Sequence, residues 1–286
     1  MLICGISYGV LGAAIPVQAA VLRVGESNFR SDAGLITFSE FPLTTANPVY
    51  TPQDYGGISN GATVSFGGFF QGQSLGTDQT CPKGAALTGC IQGDPTGSLT
   101  LDANSPETFI VIDIDTPTSP VLSGYPIFNG AISILFSEDV AAVGLTGGYF
   151  NSVGATAITA FGRNGSRLGS VSNTALGIEF LGLVSGDGSN VIAGLQFSLI
   201  GPESAGFAID NFRFGRTAQV DFPLPTPIPT PLPTPTTSPT PNPPPDPTES
   251  PDDRNIPSVP SSAMDWGMIL GMGVLGYLKL SQNKRD

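Results

Sequence analysis

Carboxylates are the side chains best suited to chemistry in this chain, because histidine is absent. Two acidic pairs stand close together in the sequence, Asp113 with Asp115 and Glu138 with Asp139. Two carboxylates that face one cleft can hydrolyse a glycosidic bond, one as the acid and the other as base or nucleophile. Asp113 and Asp115 could share one face of a strand, although the following Thr116–Pro120 is typical of a loop. Catalysis by a nucleophile paired with histidine is excluded.

Asp210 and Asn211 are the residues best placed to hold a metal ion, because their side-chain oxygens are adjacent in a predicted strand. Glu40, at the end of the first convincing strand, offers a third oxygen. Oxygen ligands of this kind suit calcium. The sequence therefore predicts a calcium site at Asp210 and Asn211, with Glu40 as the third ligand. The alternative is that Asp210 pairs with Arg213 or caps the end of a strand.

Tyrosines are the aromatic residues available for binding a sugar, because the single tryptophan lies in the C-terminal tail. A sugar site requires exposed aromatic side chains on a concave surface. The candidates are Tyr50, Tyr55, Tyr125 and Tyr149. The alternative is that each tyrosine lies at the solvated edge of the core, with its hydroxyl in water.

The elements that must position these residues are short strands. Runs rich in Ile, Val, Phe and Thr recur between glycine, asparagine and proline, and several alternate with the period of two that a half-buried strand requires. The predicted strands are Leu35–Phe38, Thr63–Phe66, Ser98–Leu101, Thr108–Ile112, Ala131–Phe136, Val140–Leu145, Thr156–Phe161, Gly177–Leu183, Val191–Leu199 and Phe207–Phe214. About ten strands without helices predict an all-β fold, a β-sandwich of the jelly-roll type. All 17 phenylalanines lie between residues 21 and 222, and we expect most of them between two sheets.

The first 20 residues have the features of a secretory signal peptide. Leu2–Ile15 is an apolar segment, and Val17-Gln18-Ala19 supplies the small residues that signal peptidase requires. Cleavage is expected after Ala19 or Ala20. Export would leave two cysteines, Cys81 and Cys90, in a glycine-containing segment, where they are expected to form a local disulfide.

The C-terminal region is divided into a stalk and an apolar segment. The stalk, residues 223–262, begins with 14 prolines in 29 positions and favours an extended polyproline II conformation. The segment 263–286 contains the uncharged run Trp266–Leu278, which includes Leu270 and Leu275, and ends with basic residues. As a helix this run would rise about 20 Å, less than the roughly 30 Å of a bilayer core. It therefore predicts a short membrane-sorting segment or an ordinary C-terminal anchor.

The charge of the chain excludes one class of partner. Residues 21–222 carry 17 acidic and 7 basic side chains, and the whole chain has a net charge of −12. So acidic a surface repels nucleic acid and anionic lipid, which bind through lysine and arginine. It suits divalent cations or simple solubility.

Two parts of the chain resemble a known class of exported bacterial protein. Four pieces of the chain resemble the lectin-like β-sandwich domain common in proteins with a PEP-CTERM sorting signal: Leu122–Phe150, Ile158–Asn173, Leu176–Ser185 and Ala205–Gly215. The tail is similar to that signal, with a linker, a proline motif, an apolar segment and a basic end. Where the family has Val-Pro-Glu-Pro-Ser, this chain has Val259-Pro260-Ser261-Ser262. The resemblance implies export and processing by a sorting peptidase of the exosortase type.

Together these features predict a non-enzymatic surface protein in the cell envelope or extracellular matrix. Residues 21–222 form the β-sandwich domain, which we expect to bind exopolysaccharide or other envelope components. The protein would be attached to the membrane, transiently or permanently, through its C-terminus. The alternative is an exported carbohydrate-active enzyme that uses paired carboxylates.

Overall fold

A computed structural model describes residues 21–56, 61–114, 119–204 and 206–222. The predicted signal peptide, Asp115, the stalk, the sorting motif and the apolar segment lie outside these residues. Within the described ranges the fold is all-β: there is no α-helix, and two 3₁₀ turns occur at Glu26–Asn28 and Thr217–Gln219. No helix in these ranges has the length and hydropathy that crossing a membrane requires.

The described residues form fifteen strands. In chain order they are β1 (Val21–Arg23), β2 (Gly34–Ile36), β3 (Val49–Tyr50), β4 (Val64–Gly67), β5 (Ser74–Leu75), β6 (Ile91–Gln92), β7 (Thr108–Val111), β8 (Val121–Gly124), β9 (Ile132–Val140), β10 (Ala142–Phe150), β11 (Thr156–Phe161), β12 (Arg167–Ser172), β13 (Gly177–Ser185), β14 (Ile192–Leu199) and β15 (Ala208–Gly215).

Two antiparallel sheets contain most of these strands. The seven-stranded sheet has the order β1-β13-β10-β15-β8-β7, and β2 pairs with the second half of β15. The six-stranded sheet has the order β12-β11-β14-β9-β4-β3. The strands β5 and β6 form a separate pair. The two sheets enclose one core, so the β-sandwich predicted from the sequence is confirmed.

Phenylalanine rings join the two sheets. Phe136 of β9 lies 6.0 Å from Phe212 and 5.5 Å from Phe214 of β15, measured between ring centres. Phe66 of β4 lies 5.9 Å from Phe212. Each of these side chains is at most 4% exposed, and such ring pairs add about 0.5–1.5 kcal/mol each beyond the burial of their area. Eleven of the 17 phenylalanines are buried, as expected for a core built on them.

The outer face of the six-stranded sheet is covered by residues 68–102. Phe70 and Leu99 from this segment pack against Phe161 and Ala193 of the sheet. The side chains of Gln73 and Gln196 exchange hydrogen bonds of 2.8 and 3.2 Å, and Gln196 also donates to Ser133 Oγ at 3.0 Å. These polar groups are buried, and each finds a partner, as a stable interior requires.

The predicted disulfide is present in this covering segment. Cys81 and Cys90 are bonded, with their Cα atoms 6.1 Å apart. Cys90 is 1% exposed, and Cys81 packs against the main core. The bond therefore closes a short loop that lies against the protein interior.

Part of the outer face of the seven-stranded sheet is covered by the two ends of the domain. We call residues 24–33 and 217–222 the terminal clasp. Its apolar side chains pack over the sheet, and its backbone is joined by Asp221 N–H donating to Asn28 O at 2.7 Å and Arg30 N–H donating to Gln219 O at 3.0 Å. The Arg30 guanidinium hydrogen-bonds Asp221 and holds the pKa of that carboxyl below its usual range. Val24 can approach closely because the sheet has no side chain at Gly182, where a Cβ would lie 2.6 Å from Val24 O.

One predicted strand is wrong and several were missed. Ser98–Leu101 forms no strand but only an isolated bridge between Leu101 and Phe70. Its apolar alternation arises because Leu99 packs onto the sheet below. The strand Arg167–Ser172 escaped prediction because it is a half-exposed edge strand with few apolar residues.

Candidate functional site

Two adjoining clefts are lined by residues of the seven-stranded sheet and of the segment that follows β7. The smaller cleft has a volume of about 10 Å³. Its lining contains two carboxylates, Asp113 and Asp210, and otherwise small or aliphatic residues: Val121, Thr146, Gly147, Gly148, Ile178, Ala208 and Ile209. The larger has a volume of about 420 Å³ and is lined by Ile112, Asp113, Ile114, Phe128, Tyr149 and Gly206. Asp113 borders both, and we refer to them together as the sheet-face cleft.

A β-bulge turns Asp210 toward this cleft. Gly144 pairs with Arg213 and Thr146 with Asp210, so three steps along β15 oppose two along β10. The extra residue is Asn211, whose φ of 45° lies in the left-handed region that asparagine tolerates better than most residues. The bulge interrupts the alternation of side chains between the two faces of the sheet. As a result Ile209 and Phe212 both lie in the core, and Asp210 lies on the opposite face.

Asp210 is buried and hydrogen-bonded to its neighbour in the chain. Its side chain is only 2% exposed, and its carboxylate accepts hydrogen bonds from Asn211 N–H at 2.7 Å and from Asn211 Nδ2 at 3.1 Å. Arg213, one alternative partner, instead donates to Glu26 Oε1 at 2.9 Å. The structure therefore places Asp210 and Asn211 together but does not pair Asp210 with Arg213.

Asp113 approaches the same cavity from a different strand. It follows β7, is half-buried, and its backbone N–H donates to Ser119 Oγ at 2.9 Å. From the sequence, Asp113 is a candidate for catalysis and Asp210 is a predicted metal ligand. In the structure both residues line one small cavity.

Glu40 does not line the sheet-face cleft. Its Oε1 accepts hydrogen bonds from Thr37 N–H at 3.0 Å and from Thr37 Oγ1 at 2.8 Å. Its Oε2 is buried without a hydrogen-bond partner, as is the hydroxyl of Tyr50. No group of three or more acidic or cysteine side chains with metal-binding geometry is found among the residues that the structure describes.

The four candidate tyrosines divide into two buried and two exposed. Tyr50 is 0% and Tyr55 6% exposed, so the prediction that they could stack on a sugar is wrong. Burial raises the pKa of the Tyr50 phenol well above its usual range and that of Tyr55 to about 12. Tyr125 and Tyr149 are 55% and 37% exposed, and of these only Tyr149 lines the cleft.

Glu138 and Asp139 form ion pairs with different arginine residues. Glu138 forms an ion pair with Arg216, whereas Asp139 accepts a hydrogen bond of 3.0 Å from Arg163 Nε. Successive residues of a strand face opposite sides of the sheet. These two carboxylates therefore do not face one cleft.

Glu203 positions the turn next to Tyr149, a role that no sequence pattern indicates. It is 0% exposed, and its carboxylate accepts hydrogen bonds from Asn151 N–H at 2.8 Å, Asn151 Nδ2 at 2.9 Å and Ser152 N–H at 3.2 Å. Tyr149 itself is anchored by its N–H, which donates to Gly206 O at 2.8 Å. A single glutamate in a loop has no sequence pattern that distinguishes burial from exposure.

No protein-family model matches the chain, and no curated protein is similar to it in sequence. The chemistry of the sheet-face cleft is therefore the basis for a functional assignment. It combines an exposed aromatic ring, aliphatic side chains and two carboxylates.

We predict that Glu203→Gln lowers the free energy of unfolding by about 1–3 kcal/mol, because an amide nitrogen cannot accept the hydrogen bonds from Asn151 and Ser152 and leaves buried donors unpaired. Urea unfolding followed by tyrosine fluorescence measures the change. Glu107→Gln is the matched control, since Glu107 is exposed and its carboxylate makes no hydrogen bond to any residue that the structure describes. Equal midpoints for the two variants would contradict the positioning role.

Proposed function

We propose that this chain is a non-enzymatic exported protein of the cell surface or extracellular matrix, and that its β-sandwich domain binds polysaccharide through the sheet-face cleft. In this proposal the sandwich is of the jelly-roll type, the stalk displays it, and the PEP-CTERM-like tail directs its sorting. Neighbouring surface proteins are the other class of partner consistent with such a location.

The cleft suits a sugar for chemical reasons. Its volume of about 420 Å³ falls within the range of small-ligand sites. The Tyr149 ring and the flanking aliphatic side chains offer an apolar surface for the C–H face of a sugar ring. The Asp113 carboxylate can accept hydrogen bonds from sugar hydroxyls. The single observation that carries the proposal is that Tyr149 and Asp113 line one open cleft.

Binding is favoured over hydrolysis because Glu138 and Asp139 are engaged by different arginines. The observation on the side of hydrolysis is that Asp113 and Asp210 line one cavity. An exported carbohydrate-active enzyme is therefore the second candidate. Release of reducing sugar from a bound polysaccharide, abolished by Asp113→Asn, would replace the binding proposal with this one.

We expect Tyr149→Ala to weaken polysaccharide binding about tenfold, because loss of one stacked ring removes roughly 1.4 kcal/mol of apolar contact. A glycan array identifies a bound polysaccharide, and isothermal titration calorimetry then measures its affinity. The control is Tyr125→Ala, which removes a more exposed tyrosine outside the cleft and should leave the affinity unchanged. Equal losses in both variants, or no glycan bound at all, would rule out this site.

A calcium ion is a further proposal for the same region. Asp210 and Asn211 would supply oxygen ligands, with Asp113 a better third ligand than Glu40 because it borders the same cavity. The cavity volume of about 10 Å³ is close to that of one small occupant. Calcium prefers such carboxylate and amide oxygens.

We predict that calcium raises the thermal unfolding midpoint of the wild-type protein and not that of Asp210→Asn. Ligand binding to the folded state alone stabilises it by about 2.7 kcal/mol at 100 times the dissociation constant. Differential scanning calorimetry with calcium, magnesium or chelator measures the shift. Glu40→Gln serves as the control that should keep the calcium response. A response lost in Glu40→Gln but kept in Asp210→Asn would move the site to Glu40.

The export proposal concerns residues outside the described ranges and is tested by the termini of the mature protein. We expect protein recovered from its native cells to begin after Ala19 or Ala20 and to end close to Ser261. Intact-mass measurement with N- and C-terminal sequencing determines both ends. An N-terminus at Met1 would contradict export, and a C-terminus at Asp286 would make the tail an ordinary anchor.

A further inference from the structure

The tip of the β11–β12 hairpin contains a sequence with the pattern of an acceptor for modification. Asn164-Gly165-Ser166 is the only Asn-x-Ser/Thr sequence in the chain. This pattern, with any residue except proline in the middle, is the acceptor for sugar transfer to asparagine in exported proteins. Asn164 and Ser166 are both exposed.

The hairpin holds these residues in a tight turn. Gly162 N–H donates to Ser166 O at 2.8 Å, and Gly165 N–H donates to Gly162 O at 2.9 Å. Gly165 has a φ of 81°, a conformation that glycine adopts without strain. The turn connects β11 to the edge strand β12. Gly165 packs against residues 95–97, where a Cβ would lie 3.1 Å from the carbonyl oxygens of Pro95 and Gly97, and Asn164 and Ser166 line an open cleft of about 490 Å³ beside this contact.

The side-chain contacts prepare Asn164 for reaction. Asn164 Oδ1 accepts hydrogen bonds from Ser166 Oγ at 2.6 Å and from Ser166 N–H at 3.1 Å. These donors draw electron density toward Oδ1, which favours loss of a proton from Nδ2. Asn164 Nδ2 makes no hydrogen bond within the described part of the chain, so the nucleophilic atom faces solvent.

We infer that Asn164 is a site of N-linked glycosylation, an inference that rests on the proposed export. The donor is a lipid-linked oligosaccharide diphosphate, and an envelope oligosaccharyltransferase catalyses the transfer. Asn164 Nδ2 forms a bond to the anomeric carbon of the sugar, and the bond from that carbon to the diphosphate oxygen breaks. The lipid diphosphate leaves with the electron pair, and one amide proton passes to a base of the transferase.

A competing reaction at the same residue is deamidation, which Asn-Gly sequences undergo when Gly N attacks the asparagine Cγ with loss of ammonia. Here the Gly165 N–H is engaged by Gly162 O, and the Asn164 amide is fixed by Ser166. The turn therefore opposes cyclisation while leaving Nδ2 accessible.

The position of the site has a physical consequence. The strand β12 is an edge of the six-stranded sheet, whereas the sheet-face cleft lies on the other sheet. A glycan at Asn164 would shield an exposed edge from pairing with another chain. It would leave the sheet-face cleft open.

Mass spectrometry of the full chain from its native cells tests the inference with three variants. We expect peptides that contain residue 164 to carry one oligosaccharide mass in the wild type and in Ser166→Thr, which keeps the acceptor pattern. The modification should be lost in Ser166→Ala and in Asn164→Gln. All four proteins should have similar thermal unfolding midpoints, because the changes lie at an exposed turn.

Three outcomes would overturn the inference. They are an unmodified residue 164 in the exported wild type, a gain of only about 1 Da that marks deamidation, and glycan found on the stalk alone. The N-terminus measured on the same sample separates this failure from failure of the proposed export. A chain cleaved after Ala19 or Ala20 but unmodified at Asn164 refutes glycosylation and retains export.

Discussion

The packing of Phe136 against Phe212 and Phe214 is the interaction on which the rest of the structure depends. These rings belong to β9 and β15, which have neighbours on both sides within their sheets. Their contact fixes which face of each sheet is internal. Because Phe212 directly follows the bulged Asn211, burial of the Phe212 ring also determines that Asp210 lies on the opposite face. The core and the sheet-face cleft are therefore set by the same short segment of β15.

The outer faces of the two sheets are covered by different parts of the chain. The six-stranded sheet is covered by residues 68–102, which dock through apolar contacts and through the matched amides of Gln73 and Gln196. A buried amide pair tolerates only a docking geometry that satisfies both partners, so it specifies the position of the covering segment. Part of the seven-stranded sheet is covered by the terminal clasp. Thr146 and Gly148 of the same sheet line the smaller part of the sheet-face cleft, where a ligand would meet Asp113 and Asp210.

The fold class could be predicted from the sequence because alternation and phenylalanine content are local properties. Strands such as Thr156–Phe161 were recognised with the bounds that the structure has. The proximity of Asp113 and Asp210 could not be predicted, since it depends on the order of strands and on a one-residue bulge. The exposure of the tyrosines could not be predicted for a similar reason: Tyr50 and Tyr149 both lie near the ends of strands, yet the first is buried in the core and the second is exposed to solvent. Glu203 was missed because a buried carboxylate is recognisable only by the donors that surround it.

The terminal clasp determines which contacts a force applied at the C-terminal end of the domain would meet first. Tension at Phe222 would load the bonds between residues 28–30 and 219–221. Val220 adds apolar contacts and a backbone bridge to Phe29. The strand that precedes the clasp in the chain is β15, which contains Asp210. The clasp would therefore have to open before such a force reached β15 and the carboxylate at the cleft.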